Sequence, residues 1–487
     1  MTSPSEEFDV VIVGAGVSGI NCAYRLKNEL PDVKFTILEG RDDIGGTWDL
    51  FRFPGVRSDS ELYTYGFSWH PWPHKNLLGS GPQIKQYIKD SVSQHNLSDY
   101  ICLRHKVLTA DWSSEARAWR LVVSHDGSAR EIRASFLVLG TGYYDYDIPL
   151  QTIIPGLHNF KGKVINPQFW PEDYDYSVKK IAVIGSGATT VSLLPPLSEK
   201  ASQVTVVQRS PGWVVSTGLM TSPISLLQKY SPLPLPFYDF WDRVWVVSIF
   251  YLLTLFCKYF PPQAASAIKS LTASQLPKGF DVDRHFSPRY YPWEQRLCLS
   301  PEGDYFTALC RQNTHIVTGV IDMVGEDHIQ MEDGTKVDAD TIVTATGISM
   351  RLGGNIALTV DGQEMTWGGK FMWNGAMIQD VPNMIFMFGY TNSAWTTGSE
   401  CSGRVLVRLT RLMRSKGAAV AVPRIPERGF ASTARLFQLS STYIKRAEVE
   451  GYLPIYGDWG PWRQRTDPPT DYLHSRWGDI ETDLCFS

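Results

Sequence analysis

Two glycine runs stand where a strand gives way to a helix, with the spacing that lets a backbone hold a diphosphate. The first is Gly14-Ala15-Gly16-Val17-Ser18-Gly19, after the apolar run Phe8 to Val13. Gly14 allows the tight turn, Gly16 lets a pyrophosphate approach the backbone, and Gly19 lets the helix pack against the strand. The helix N-terminus, with Ser18 in its first turn, then faces the phosphate charge. Glu39 ends the next strand, 20 residues after Gly19. A carboxylate there accepts hydrogen bonds from ribose hydroxyls and repels a 2′-phosphate, which selects FAD or NAD over NADP. The second run is Gly185-Ser186-Gly187-Ala188-Thr189-Thr190, with Thr190 where glycine or alanine is usual. Its following strand runs into Gln208-Arg209-Ser210 and carries no acid. Arg209 can pair with a 2′-phosphate, which favours NADPH; the alternative is an ordinary solvated charge.

Two cradles imply two cofactors held face to face, with hydride passing from a nicotinamide to a flavin. The next electron acceptor is constrained by the cysteines. Seven are scattered, at positions 22, 102, 257, 298, 310, 401 and 485, and none forms a Cys-x-x-Cys pair. That spacing argues against a disulfide framework, a zinc site and a redox dithiol, and leaves O2, a quinone or another external acceptor. Unpaired thiols fit a reducing, cytoplasmic setting. The polar stretch Met1 to Glu7 does not read as a secretory signal, and the ten histidines form no metal-binding cluster. A net charge of −4 implies no general surface for nucleic acid.

The elements that must position these residues follow from the hydrophobic pattern. The length of 487 residues, 43% of them hydrophobic, predicts two or three folded units. The run Phe8 to Val13, the helical spacing of Asn21 to Leu30 and the strand Lys34 to Leu38 make one β-α-β unit. Ile181 to Ile184, a helix from about Thr189, and Val204 to Val207 make another. Two further strands run into glycine turns, at Ile132 to Gly142 and Asp338 to Gly347. The expected fold is α/β with two Rossmann-like dinucleotide-binding domains. An NADP-binding domain over 151–335, with a helical insertion over about 212–290, interrupts a discontinuous FAD-binding domain formed by 1–150 and 336–487.

One stretch stands apart. After prolines at 232, 234 and 236, Val244 to Cys257 runs fourteen residues without charge, between Arg243 and Lys258. A membrane span needs about 20 residues. The segment is read first as a buried helix, with an interfacial or substrate-entrance helix and a membrane anchor as alternatives.

Beyond the cradles, Gly45-Gly46-Thr47-Trp48 and Phe53-Pro54-Gly55-Val56-Arg57-Ser58-Asp59 follow the pattern GGxWxxxx(F/Y)PGxxxD. On these residues the chain resembles the class B flavoprotein monooxygenases, specifically the Baeyer–Villiger monooxygenases. Phe286 to Cys298, Ala345 to Gly347 and Gly389 to Trp395 are similar to the ethionamide-activating subgroup. The resemblance implies FAD and NADPH as cofactors and O2 activation as a flavin C4a-peroxide. It places Arg296 beside the flavin, where a permanent cation stabilises developing negative charge, with Asp59 as its acidic partner. It also implies cofactor contacts from Gly46, Thr47, Trp48, Asp59, Asn392 and Trp395.

The chain departs from the family at one fixed position. The linker signature FxGxxxHxxxW(P/D) appears as Phe160 to Pro171, with Asn166 in place of the histidine. Asparagine donates and accepts hydrogen bonds but does not titrate near neutral pH. The resemblance implies Baeyer–Villiger oxidation of a bulky, apolar carbonyl compound to an ester or lactone. Three alternatives stay open: S- or N-oxygenation or hydroxylation on the same scaffold, NADPH oxidation without oxygenation of substrate, and a non-enzymatic protein that binds a partner or a membrane surface. Peripheral membrane contact through 244–257 is a further expectation.

Overall fold

The computed structural model describes residues 6–220, 222, 235–390 and 393–487. Its first body is built on a sheet whose parallel part runs in the order Met384–Phe386, Ser128–Leu139, Glu6–Val13, Phe35–Leu38, Ile101–Cys102. The central strand Glu6–Val13 ends in Val10, Val11, Ile12 and Val13, all buried, because helices and loops cover both faces. Residues 128–134 of the strand Ser128–Leu139 also close an antiparallel meander with Ala118–His125 and His105–Ser113. There Trp112 and Trp119 stand opposite each other across the ladder, fully buried, with ring centroids 5.7 Å apart.

The second body is a five-stranded parallel sheet in the order Thr314–Thr318, Gln203–Gln208, Lys180–Ile184, Thr341–Thr344, Lys163–Ile165. The chain therefore leaves the first sheet, builds the second and returns, which is the expected fold class. The strand Thr341–Thr344 lies inside the second sheet, and the chain rejoins the first only at Ala357–Val360. The anticipated division at 335/336 thus falls within the second sheet's own segment. The pattern of a strand running into a glycine turn is common to both sheets and could not say which one the strand joins. Later, the helix Trp395–Lys416 packs on the helix Val17–Glu29, with Arg25 paired to Glu400 at 3.3 Å.

The insertion is helical, as expected, but its main helix differs from the sequence reading. It spans Leu235–Tyr259, 25 residues, well beyond the fourteen-residue uncharged run. Asp239, Asp242 and Arg243 extend the helix because charged side chains on its partly exposed sides do not interrupt the backbone ladder. The segment Phe237–Tyr259 has a mean hydropathy of 1.5, yet only 11% of its apolar window is buried. The primary reading as a buried helix is corrected: local periodicity could not show that only one face would find a partner.

Candidate active site

Both glycine runs form helix N-termini without side-chain caps. Gly16 precedes the helix Val17–Glu29 and Gly187 precedes Ala188–Lys200; neither helix has an acid in its first turn. The leading amide N–H groups are thus left for an anion. Backbone crowding explains the glycines. Gly14 has φ +101°, and a Cβ on Gly19 would lie 1.9 Å from Gly14 O. Gly185 has φ +140°, and a Cβ there would lie 2.1 Å from Ala345 O. A Cβ on Gly187 would meet nothing within 4 Å, so the second cradle is open where a phosphate would approach. Ala188 and Thr189 form the first turn behind it. These residues fit two diphosphate groups.

Glu39 is buried at the turn of the first cradle. Its Oε2 accepts from Ala15 N at 2.7 Å and its Oε1 from Arg41 N at 3.0 Å. Burial pushes this carboxyl above its usual range, and the two backbone hydrogen bonds oppose the shift. Gly46, at φ +56°, abuts the same cradle: its Cβ would lie 3.0 Å from Gly16 Cα. Thr47 Oγ1 accepts from Tyr144 Oη at 2.8 Å, and Trp48 Nε1 donates to Tyr65 Oη at 2.7 Å. Ser18, buried in the first helical turn, accepts from Trp395 Nε1 at 2.9 Å. Asn392 lies outside the described residues.

Asp59 and Arg296 meet although 237 residues separate them. Arg296 Nε stands 2.5 Å from Asp59 Oδ2, and Nη2 donates to Oδ1 at 2.8 Å, a two-pronged pair with about a quarter to a third of each side chain exposed. Burial alone would lower the Arg296 pKa; the facing Asp59 carboxylate, then Tyr143 and Tyr443, hold it raised. The turn ahead of it is strained: Trp293 adopts φ +74°, a region a bulky side chain rarely takes.

A chain of contacts joins this pair to the first cradle. Ser18 accepts from Trp395, whose ring lies 4.9 Å from that of Tyr143, and the Tyr143 hydroxyl faces the Arg296 side chain. Tyr143 was not legible in the sequence: an aromatic residue just after a strand-ending glycine has no spacing of its own. Its signal was the run Tyr143-Tyr144-Asp145-Tyr146, unusually rich in phenols.

The structure also gives Arg57 a place. Its guanidinium pairs with Asp304 and donates to Val191 O at 3.2 Å, while a Cβ on Gly55 would lie 2.2 Å from Ser192 O. The Pro54-Gly55 turn therefore fastens the first body to the helix of the second cradle. On the second-cradle side, Thr190 is fully buried, and its Oγ1 has no hydrogen-bond partner among the described residues. Arg209 is exposed just beyond Gln203–Gln208, with no ion pair among the described residues. Asn166 Oδ1 accepts from Gln168 N at 3.0 Å, and Gln168 reaches back to Asp145 O at 2.6 Å. The linker residue thus caps a short 3-10 turn between the bodies.

An α/β protein with two uncapped glycine cradles and a half-buried arginine–aspartate pair between its bodies defines a class of two-dinucleotide enzymes. Comparisons with known proteins narrow the class. The family model described as flavin-binding monooxygenase-like matches residues 8–223. The FAD-containing monooxygenase EthA of Mycolicibacterium smegmatis is 39% identical over 480 residues, covering 98% of this chain and 96% of that protein. EthA of Mycobacterium tuberculosis is 37% identical, covering 98% and 97%. Among solved structures, a steroid monooxygenase bound to NADP superposes with a TM-score of 0.74 at 20% identity, covering 99% of both chains. The cyclohexanone monooxygenase of Rhodococcus sp. Phi1 gives 0.68 at 20%, covering 86% and 87%. The chain belongs to the flavin-binding monooxygenase-like family and is similar to EthA.

Proposed function

We propose that the chain is an FAD- and NADPH-dependent monooxygenase that inserts one oxygen atom of O2 beside the carbonyl of a bulky apolar ketone, giving an ester or lactone. The observation that carries this reading is the Arg296–Asp59 pair, linked through Tyr143 and Trp395 to Ser18 of the first cradle. The same reading includes a peripheral contact between the helix carrying Val244–Cys257 and a lipid surface.

FAD fits the first cradle. The amides following Gly16 would hold its pyrophosphate, and Glu39, whose two oxygens each accept one backbone amide, has acceptor capacity left for ribose hydroxyls. Gly46, Thr47, Trp48 and Trp395 border the same space. NADPH fits the second cradle, from Gly185 to Thr189, with Arg209 free to take the 2′-phosphate. When bound, FAD supplies the redox chemistry, taking hydride from NADPH and passing electrons to O2. The protein supplies charge and position. The Arg296 guanidinium stabilises negative charge on the transferred oxygen and on the substrate's carbonyl oxygen in a low-dielectric site. Asp59 fixes the direction of the guanidinium, and the Tyr143 phenol lies beside the same group.

The test is product identification from one bulky ketone and one thioether, each incubated with NADPH. The reading expects an ester or lactone from the ketone at a rate above that of sulfoxide formation. Sulfoxide alone would assign the chain to heteroatom oxygenation. Peroxide alone from both would mean that the chain oxidises NADPH without oxygenating substrate.

A further inference from the structure

The helix Leu235–Tyr259 divides cleanly into two faces. Its inner face carries the buried Val246 and Cys257, and through Cys257 joins a core cluster containing Leu297 and Leu299, the neighbours of Cys298. Arg243 ties it down further, donating to Trp72 O at 2.8 Å and covering the Tyr63 ring. The outer face repeats at helical spacing: Phe240, Trp241, Trp245, Leu252, Phe256 and Tyr259 are each between 37% and 65% exposed. No carboxylate occurs from Val244 to Phe260, and Lys258 stands exposed at one end.

We propose that this outer face docks on a membrane, with the helix lying in the plane of the lipid–water interface. Three observations select lipid. The face is rich in Trp and Tyr, rings with an apolar body and a polar tip that suit the headgroup level. From Val244 onward its only charge is cationic, which matches a neutral interior beneath an anionic surface. Its area is too small for a stable pair of copies: about 37 Å of helix, at 1.5 Å per residue and about 10 Å wide, presents on the order of 400 Å², against about 800 Å² per partner in a stable interface. The helix does not span, because its inner face is already committed to the protein body. Resting on the proposed oxygenase reading, this dock sets a lipid-dissolved apolar compound as the substrate class, since the helix that carries it shares a core cluster with Leu297 and Leu299 of the segment beside Arg296.

The experiment uses holoenzyme and vesicles of phosphatidylcholine and phosphatidylglycerol in flotation. Wild type is expected to float with the vesicles and to be released by alkaline carbonate. The triple variant Phe240→Ser, Trp245→Ser, Leu252→Ser is expected to lose at least 100-fold in partition, at roughly tenfold per side chain. Its flavin content, melting temperature and turnover of a water-soluble substrate should stay at wild-type values. A wild type that remains in the soluble fraction, or a variant that floats equally well, overturns the proposal. So does resistance to carbonate, which would mean a span, or a wild-type dimer that the variant converts to monomer, which would mean that a second copy covers the face. Flotation does not depend on catalysis, so floating without oxygenation would refute the oxygenase reading and leave the dock standing.

Discussion

Asp59→Asn separates the charge of the arginine's partner from its shape. The carboxylate holds Arg296 at 2.5 and 2.8 Å through two oxygens. Unit charges about 4 Å apart attract by about 4 kcal/mol at an effective dielectric of about 20. Solvent reaches 30% of the Arg296 side chain and 26% of Asp59. Screening and side-chain entropy reduce this, and a hydrogen bond to a charged group in a half-buried pair is worth about 2 kcal/mol. Asparagine keeps one acceptor and turns an NH2 toward the guanidinium, so one of the two bonds is lost and the cation is free to rotate. The expected loss of transition-state stabilisation is of the same size, about 2 kcal/mol or roughly 30-fold in kcat/KM for oxygenated product. NADPH consumption should fall less, so product per NADPH declines. Flavin content should persist, because the Glu39 and Ser18 contacts of the first cradle do not pass through Asp59. The assay measures product and NADPH together over a pH series, with flavin absorbance as the control. Product formation within twofold of wild type would refute the reasoning. Loss of flavin in proportion to activity would do so too, because Asp59 would then be holding the cofactor rather than the arginine.

The remaining predictions concern neighbouring groups. Thr190→Val keeps the shape and removes a buried hydroxyl that has no partner among the described residues; it should raise stability by about 1 kcal/mol, or about 1 °C in Tm for a chain of this length, and a fall in Tm would show that the hydroxyl is satisfied. Arg209→Ala should raise KM for NADPH about tenfold, the worth of one charge-assisted hydrogen bond, and leave KM for NADH unchanged; equal effects on both would make Arg209 an ordinary surface charge. Burial lifts the Glu61 carboxyl from 4.5 to about 7, against opposing hydrogen bonds from Thr64. The folded chain thus holds a proton that the unfolded chain releases within that window, and stability falls as pH rises through it, by on the order of 3 kcal/mol in total. Glu61→Gln should flatten the dependence, measured as Tm against pH; an unchanged slope would place the effect elsewhere.

The sequence carried the parts whose chemistry depends on backbone. Gly14, Gly19 and Gly185 were legible because crowding by neighbouring carbonyls admits no side chain, and Glu39 because a strand's length fixes where its end lies. Arg296 and Asp59 were legible only through motif resemblance, since no local pattern pairs residues so far apart. Tyr143 and the Arg57–Asp304 tie were missed because both depend on how two bodies meet. The helix at 235–259 was misread because hydrophobicity reports what could be buried, and only the packed structure shows which face is. The strand Thr341–Thr344 was assigned to the wrong side of the division for a related reason, as parallel strands of two similar sheets share one pattern.

The central claim is that the two cradles and the Arg296–Asp59 pair together move an atom of O2 into a substrate. Reaction of the holoenzyme with NADPH and an apolar ketone under 18O2 tests it most directly. The expected result is one 18O atom in each ester or lactone formed, with one NADPH consumed per labelled product. Unlabelled product, or NADPH consumption with all of the label in peroxide and water, would contradict it.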